Sequence, residues 1–141
     1  MAYARTLMPV ARLWRQAADR ALSGMGVSAS SGWALVQVGR LGDDVRQTDL
    51  ARELDVTAAS LVRVLDQMVA ADLVDRHPDE VDGRVSRVRL TARGREQVTA
   101  IEQVFTELRR DILRGVSEDD LATAIAVAEH VEIAFARKRG A

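Results

Sequence analysis

Apolar residues recur at steps of three and four positions along most of the chain, a pattern that predicts amphipathic helices. Thr91 and Ser117 can each cap a long helix, and Ser28 can cap a shorter one that stops near Gly42. Pro9 fits the first helix only near its first turn. The apolar positions are Leu7, Val10, Trp14, Ala17 and Ala21; Trp33, Val36 and Leu41; Val98, Ile101, Phe105, Leu108 and Ile112; and Leu121, Ile125, Ala128, Val131 and Phe135.

Two shorter helices are predicted near the middle of the chain, where a polar break separates two apolar stripes. The first spans Gln47–Leu54, and the break follows it. Thr57 can cap the second, over residues 58–71. Two helices joined by so short a turn are typical of a helix-turn-helix. The residues expected to face inward are Leu50, Ala51 and Leu54, then Leu61, Leu65, Met68 and Val69.

After residue 72 the spacing changes from helical to alternating. Residues 73–77 and 87–91 are predicted strands, because Val88 and Leu90 alternate with Arg87 and Arg89 in the second of them. The polar segment 78–83 favours a hairpin between them. A hairpin directly after a helix-turn-helix is a wing. The sequence therefore predicts a mainly α fold with a small β-hairpin wing, and a winged helix-turn-helix over residues 45–95.

The charge is distributed unevenly, although the formal net charge of the 141 residues is only −1. Residues 81–95 contain five arginines and one acid, whereas residues 96–135 contain nine acids and three arginines. A basic hairpin favours a nucleic-acid partner. Lys138 is the single lysine among 20 basic residues. Arginine suits forked contacts to phosphate and guanine, although a genome-wide preference for arginine explains the same composition.

Motifs for catalysis or metal binding are missing from the sequence. It has no cysteine, which excludes disulfides, thiolate ligands and a thiol redox switch. His77 and His130 stand too far apart in the pattern to suggest a metal pair. No nucleophile elbow, glycine-rich phosphate loop or zinc-protease motif occurs. We therefore expect no enzyme activity, no cofactor and no membrane span.

The start of the second helix of the motif is the expected reading surface, because such helices enter the major groove by their N-terminal end. Thr57, Ala58, Ala59, Ser60 and Arg63 occupy that end. Arg63 can pair with guanine, a contact worth about 1–3 kcal/mol of discrimination, or can contact a phosphate instead. The two alanines can touch thymine methyl groups.

The hairpin and the first helix of the motif supply the other expected DNA contacts. Arg84 lies at the wing tip, and a narrow minor groove attracts arginine. Asp82 is expected to hold that arginine or to brace the hairpin. Phosphate contacts are expected from Arg76, Arg87, Gln47 and Thr48. The alternative is that the wing arginines form only a solubilising face.

These segments together resemble the MarR family of regulators, and within it the SlyA-like branch. Residues 61–68 are similar to that branch's recognition helix, and residues 71–76 match the step into the wing, with Asp72 where the family usually has glycine. The order Asp82-Gly83-Arg84, then residues 88–91 and Arg93-Gly94, resembles the family's wing signature. Residues 112–117 also resemble the branch. The similarity runs from about residue 10 to residue 135.

The resemblance implies one MarR-like domain over residues 1–141, with helical dimerisation regions at 1–25 and 96–138. The long apolar stripes agree, because two-fold pairing would bury them. It further implies a cytoplasmic bacterial regulator that binds double-stranded DNA as a homodimer. Such regulators are often repressors of a pseudo-palindromic operator, released by a small aromatic or phenolic acid.

A site for such an effector, a small aromatic carboxylate, is expected between the dimerisation helices and the winged helix-turn-helix. Trp14, Arg15, Trp33 and Val36 can line it, with Arg15 facing the carboxylate. Tryptophans at helical spacing are also common in cores, so both interpretations stand. A second alternative concerns the whole protein: winged helices also serve as protein-interaction modules without a DNA target.

Overall fold

The computed structural model describes residues 2–139, which form six helices and three strands. Residues up to Leu108 form one compact unit, and residues from Arg109 onward form a second. The elements are α1 (Ala2–Gly24), α2 (Ala29–Arg40), β1 (Asp44–Arg46), α3 (Gln47–Leu54), α4 (Ala58–Ala70), β2 (Val74–Pro78), β3 (Ser86–Leu90), α5 (Ala92–Ile112) and α6 (Glu118–Arg139). None of the helices within residues 2–139 combines the length and the apolar character that a membrane span requires.

Side-chain caps start four of the helices at the predicted positions. The hydroxyl of Ser28 accepts from the Ser31 N–H at 3.2 Å, and that of Thr57 accepts from the Ser60 N–H at 3.1 Å. Thr91 and Ser117 cap α5 and α6 in the same way. Each cap satisfies a backbone donor that the helix cannot pair itself and is worth about 1 kcal/mol.

Three aspartates that follow helices have a left-handed backbone conformation. Asp43, Asp55 and Asp72 have φ of 65°, 53° and 58°. Aspartate tolerates this conformation better than most residues because its short side chain bonds locally. Asp72 occupies the position where the resembled family usually has glycine, and its positive φ explains that preference.

The first helix differs from the prediction at its start. It begins at Ala2, so Pro9 lies two turns inside α1 rather than in its first turn. A proline inside a helix removes one backbone hydrogen bond and crowds the carbonyl four residues earlier, so its position here costs stability. The segment around Pro9 is rich in alanine and leucine, which favour continuation of the helix.

The wing is part of a three-stranded antiparallel sheet, in the order β1-β3-β2. Val45 of β1 pairs with Val88, and Val74 of β2 pairs with Leu90. The hairpin was predicted, but β1 was not. It has only three residues, with Val45 buried between two exposed side chains, and this is too short for an alternating pattern to be recognised.

The core of the first unit surrounds α2, of which Leu35, Val36 and Val38 are fully buried. It includes the inward side of the helix-turn-helix and the inner residues of the sheet. Two expected positions are wrong: Val69 and Leu41 are exposed, because Val69 lies to one side of the buried Met68 and Leu41 is the C-cap of α2. The remaining members are Ala18, Leu22, Ala34, Val45, Leu50, Leu61, Leu65, Met68, Val74, Val88, Leu90, Ile101 and Phe105.

The second unit contains the last turn of α5 and all of α6. Within the described chain, no residue of α6 is buried. Ile125, Ile133 and Phe135 each expose more than half of their surface. The stripe predicted for this helix is therefore present as a surface that a single chain leaves uncovered.

Gly94 is the position where the first unit tolerates a side chain least. A Cβ there would lie 2.0 Å from the carbonyl oxygen of Leu73, so the backbone of α5 or of the preceding turn must shift. We predict that Gly94→Ala lowers the free energy of unfolding in urea by about 3 kcal/mol. Gly24→Ala is the matched control, because nothing lies within 4 Å of its added Cβ. Equal stability of the two variants would contradict this packing.

Candidate nucleic-acid interface

The outer side of α4 carries the predicted reading residues. Leu61, Leu65 and Met68 are buried, and this fixes the opposite side of the helix toward solvent. Ala58, Ala59 and Ser60 are exposed in the first turn, and Arg63 is exposed one turn later. Thr57 caps the helix and also donates its hydroxyl to the Ser60 Oγ at 2.9 Å. The predicted N-terminal end of α4 is therefore accessible.

One concave surface joins the start of α3, the start of α4 and the wing. It encloses about 300 Å³. Its lining includes four of the predicted residues, from three different elements: Gln47, Thr48, Ala58 and Arg84. Three further residues line the surface and were not predicted from the sequence: Arg46, Val85 and Ser86. Arg46 ends β1, and that strand could not be recognised from its three residues.

At the wing tip, Asp82 holds Arg84. Its carboxylate accepts from the Arg84 backbone N–H at 3.1 Å, from Nε at 3.1 Å and from Nη2 at 3.4 Å. The side-chain hydrogen bond from Arg84, followed by that from its backbone, lowers the pKa of Asp82. The Arg84 side chain nevertheless remains 92% exposed. Of the two roles expected of Asp82, it therefore has the first, contact with Arg84, and the contact leaves the cation exposed.

The base of the wing contains a nearly buried carboxylate that was not predicted from the sequence. Asp79, whose side chain is 8% exposed, accepts from the backbone N–H of Val81 at 2.9 Å and of Asp82 at 3.2 Å. Its other oxygen accepts from Arg87 Nη1 at 2.9 Å. Hydrogen bonds from Val81 and Asp82, followed by that from Arg87, lower the pKa of Asp79 to about 2. It is therefore ionised at neutral pH.

Two of the predicted phosphate-binding arginines are engaged by acids. Arg87 donates through Nε to Asp44 Oδ1 at 3.0 Å and through Nη2 to the Asp44 carbonyl at 2.6 Å, besides its bond to Asp79. Asp44 and then Asp79 raise the pKa of Arg87. Arg76 of β2 donates to Asp66 of α4.

Arg63 differs from the other three predicted arginines. Within residues 2–139, its side chain makes no hydrogen bond or ion pair, whereas Arg76, Arg84 and Arg87 each contact a carboxylate. Arg63 is therefore the cation of this set that needs no rearrangement to meet a ligand.

The residues predicted for an effector site are only partly brought together. Arg15 lies 4.4 Å above the Trp33 ring, a cation–π distance, and Trp33 Nε1 donates to Asp19 at 2.8 Å. Arg15 and Trp33 line a cavity of about 160 Å³ together with residues of α3 and α4. Val36 is fully buried in the core, and Trp14 is not among the lining residues. The rest of the lining is Ala29, Ser30, Leu54, Val56, Ser60, Leu61 and Val64.

Comparison with known proteins agrees with this arrangement. Residues 25–85 match the model of the MarR family. The transcriptional regulator PA3341 is 27% identical with a TM-score of 0.87, over 96% of this chain and 98% of that chain. A mutant MarR from E. coli complexed with operator DNA is 23% identical with a TM-score of 0.76, over 93% and 94% of the two chains.

A third solved structure, a MarR-family regulator from Rhodococcus sp. RHA1, is 18% identical with a TM-score of 0.77 and covers 89% of this chain and 88% of its own. The family match spans α2 to the wing loop and includes every residue that lines the concave surface except Ser86. On these findings, residues 25–85 are similar to the MarR family, and the chain has the fold of the solved MarR-type regulators.

Proposed function

We propose that this protein is a transcriptional repressor that binds double-stranded DNA in the bacterial cytoplasm as a homodimer. The observation that carries the proposal is the concave surface on which Gln47, Thr48, Ala58 and Arg84 meet. On this surface the N-terminus of α3, the start of the recognition helix α4 and a wing arginine lie side by side. DNA phosphates and grooves are the ligand that such a set fits. The motifs over residues 61–68 and 112–117 favour the SlyA-like branch.

In this proposal the two protruding elements read different grooves. The exposed first turns of α4 enter the major groove, where Arg63 reaches a guanine edge. The wing follows the backbone into the adjacent minor groove and inserts Arg84. Gln47 and Thr48 contact the phosphate between them. Arg76 and Arg87, which are held by acids, contact phosphates along the same strand.

Apolar residues left uncovered on three helices support a dimer. Tyr3, Leu7, Met8, Val10 and Leu13 are exposed on α1, and Ile112 is exposed at the end of α5. On α6, Ile125 and Val127 lie two residues apart and therefore on different sides of the helix. A helix that is apolar on several sides is normally buried. A second copy of this chain covers these residues and supplies the second reading helix.

Substitution of the two exposed arginines, Arg63 and Arg84, separates base recognition from groove binding. Arg63→Ala is expected to reduce the ratio of specific to scrambled-duplex affinity by about tenfold or more, because a guanine contact is lost. Arg84→Ala is expected to weaken both duplexes by about tenfold. Gel shifts on an operator selected from a random pool measure both effects.

Arg40→Ala, at the end of α2, removes the same charge outside both the winged-helix region and the dimerisation regions, and should leave both affinities unchanged. Wild-type affinity should also fall steeply with salt, with a log–log slope of about −0.9 for each phosphate contacted. Salt-insensitive binding, or no selected duplex at all, would instead favour a winged-helix module whose partner is a protein.

The dimer is tested at α6. Ile125→Glu places a charge in the proposed subunit contact, so we expect the 15.5 kDa monomer in sedimentation equilibrium, whereas the wild-type protein should have twice that mass. Ile125→Val keeps an apolar side chain there and should remain dimeric. A wild-type monomer at micromolar concentration would contradict the proposed assembly.

A small aromatic carboxylate is the proposed effector, and the cavity beside Arg15 and Trp33 is its proposed site. The cavity of about 160 Å³ is smaller than a drug-sized pocket, so it suits a single ring. The Arg15 guanidinium lies 3.3 Å from Asp19 through Nε but is 57% exposed, so it can also pair with the carboxylate of a ligand in this cavity.

This site is tested with salicylate. We expect salicylate to release the protein from DNA, and Arg15→Gln to raise the required concentration about tenfold, because a charge-assisted hydrogen bond is lost. Arg12→Gln removes a neighbouring exposed charge from the same helix and should change nothing. An Arg15→Gln protein that responds like the wild type would exclude this cavity.

A further inference from the structure

The loop that carries Arg84 has almost no apolar support of its own. Between β2 and β3, Glu80, Gly83 and Arg84 are exposed, and Val81 is 96% exposed. Hydrophobic burial therefore cannot fix the conformation of residues 79–84. Hydrogen bonds must do so, because an exposed loop without them samples many backbone conformations.

Four hydrogen bonds close this loop, and Asp79 takes part in three of them. The Asp79 N–H donates to the Val85 carbonyl at 2.8 Å, and the Val85 N–H donates to the Asp82 carbonyl at 2.9 Å. The Asp79 carboxylate accepts from the N–H groups of Val81 and Asp82. These last two bonds define the path of the chain from the end of β2 into the tip.

The same carboxylate connects the loop to the sheet. Its second oxygen accepts from Arg87 Nη1 at 2.9 Å and lies 4.0 Å from Arg46 Nε. Arg87 is on the central strand β3, and its other nitrogens bond Asp44, the first residue of β1. One nearly buried carboxylate thus links the tip of the wing to two strands.

We propose that Asp79 is a positioning residue for DNA binding: its carboxylate folds residues 79–84 into the conformation in which Arg84, held by Asp82, reaches the minor groove. The proposal rests on the DNA-binding function proposed above. Asp79 itself touches no DNA, because its side chain is 8% exposed and its oxygens are occupied by protein donors. It acts through Arg84.

The sign of the effect separates positioning from simple electrostatics. Asp79 carries a negative charge in a region that would face phosphates, so its removal would strengthen binding if charge were all that mattered. A positioning role predicts the opposite. Glu80→Ala is the matched control, because it removes the same charge from the adjacent exposed residue and should leave affinity equal or tighter.

The test is a double-mutant cycle on the selected operator duplex at fixed salt. Asp79→Ala is expected to weaken binding about tenfold, as Arg84→Ala does, because the wing contact is lost in both. The double variant should bind no more than twofold weaker than Arg84→Ala, since residues that act through one contact are not additive. Additive losses, or an Asp79→Ala protein as tight as the wild type, would overturn the proposal.

Two further measurements keep a folding defect apart from the proposed role. Asp79→Asn keeps an oxygen acceptor for the two N–H groups but loses the charge that faces Arg87, so its affinity should lie between those of Asp79→Ala and the wild type. Amide hydrogen exchange without DNA should show faster exchange at Val81 and Asp82 in Asp79→Ala and unchanged exchange in α4. Unchanged exchange at the Val81 and Asp82 amides would overturn the proposed role of the Asp79 carboxylate in folding the loop, even if the chain bound no DNA.

Discussion

The pairing of β3 with both of its neighbours is the constraint on which the proposed interface depends. β1 runs into α3 without an intervening residue, α4 is followed after three residues by β2, and the wing tip connects β2 to β3. Val88 and Leu90 hold β3 in the core, with exposures of 0% and 4%. Because the two helices and the hairpin all join one small sheet, the reading helix and the wing cannot move independently.

Ion pairs between the arginines and neighbouring acids refine this arrangement. Arg76 joins the sheet to α4 through Asp66, and Arg87 joins β3 to Asp44 and Asp79. The pairs with Asp66 and Asp44, whose carboxylates are about half exposed, contribute little stability. Their effect is geometric, because each one limits the directions in which a guanidinium or a loop can point. The basic wing therefore carries its own counterions, which is consistent with a net charge of −1 for the whole chain.

The sequence was informative wherever the deciding interaction is local. Ser28, Thr57, Thr91 and Ser117 act within three residues of their own position, so the helix starts followed directly. The period-two pattern revealed the hairpin for the same reason. β1 was missed because its pairing partner lies more than 40 residues away, and Val45 has no apolar neighbour to mark it.

In the candidate DNA-binding site, too, contacts between residues close in sequence were predicted and contacts between distant residues were not. The accessible end of α4 and the Asp82–Arg84 pair follow from neighbouring residues. Asp79 was overlooked because an aspartate in a polar turn is ordinarily solvent-exposed, and its burial depends on Arg46 and Arg87 from other strands. Pro9 and Leu41 show the converse, since a local rule was applied where the surrounding chain decides the outcome.

The central claim is that α4 and the wing face the same DNA duplex, twice, in a dimer. Because the chain has no cysteine, Gly83→Cys gives a single attachment point for a DNA-cleaving iron chelate at the wing tip, where nothing lies within 4 Å of the added Cβ. The account predicts two clusters of minor-groove cleavage, symmetric about the operator centre and outside half-sites about 34–36 Å apart. Cleavage spread evenly along the operator, or confined to one cluster, would contradict it.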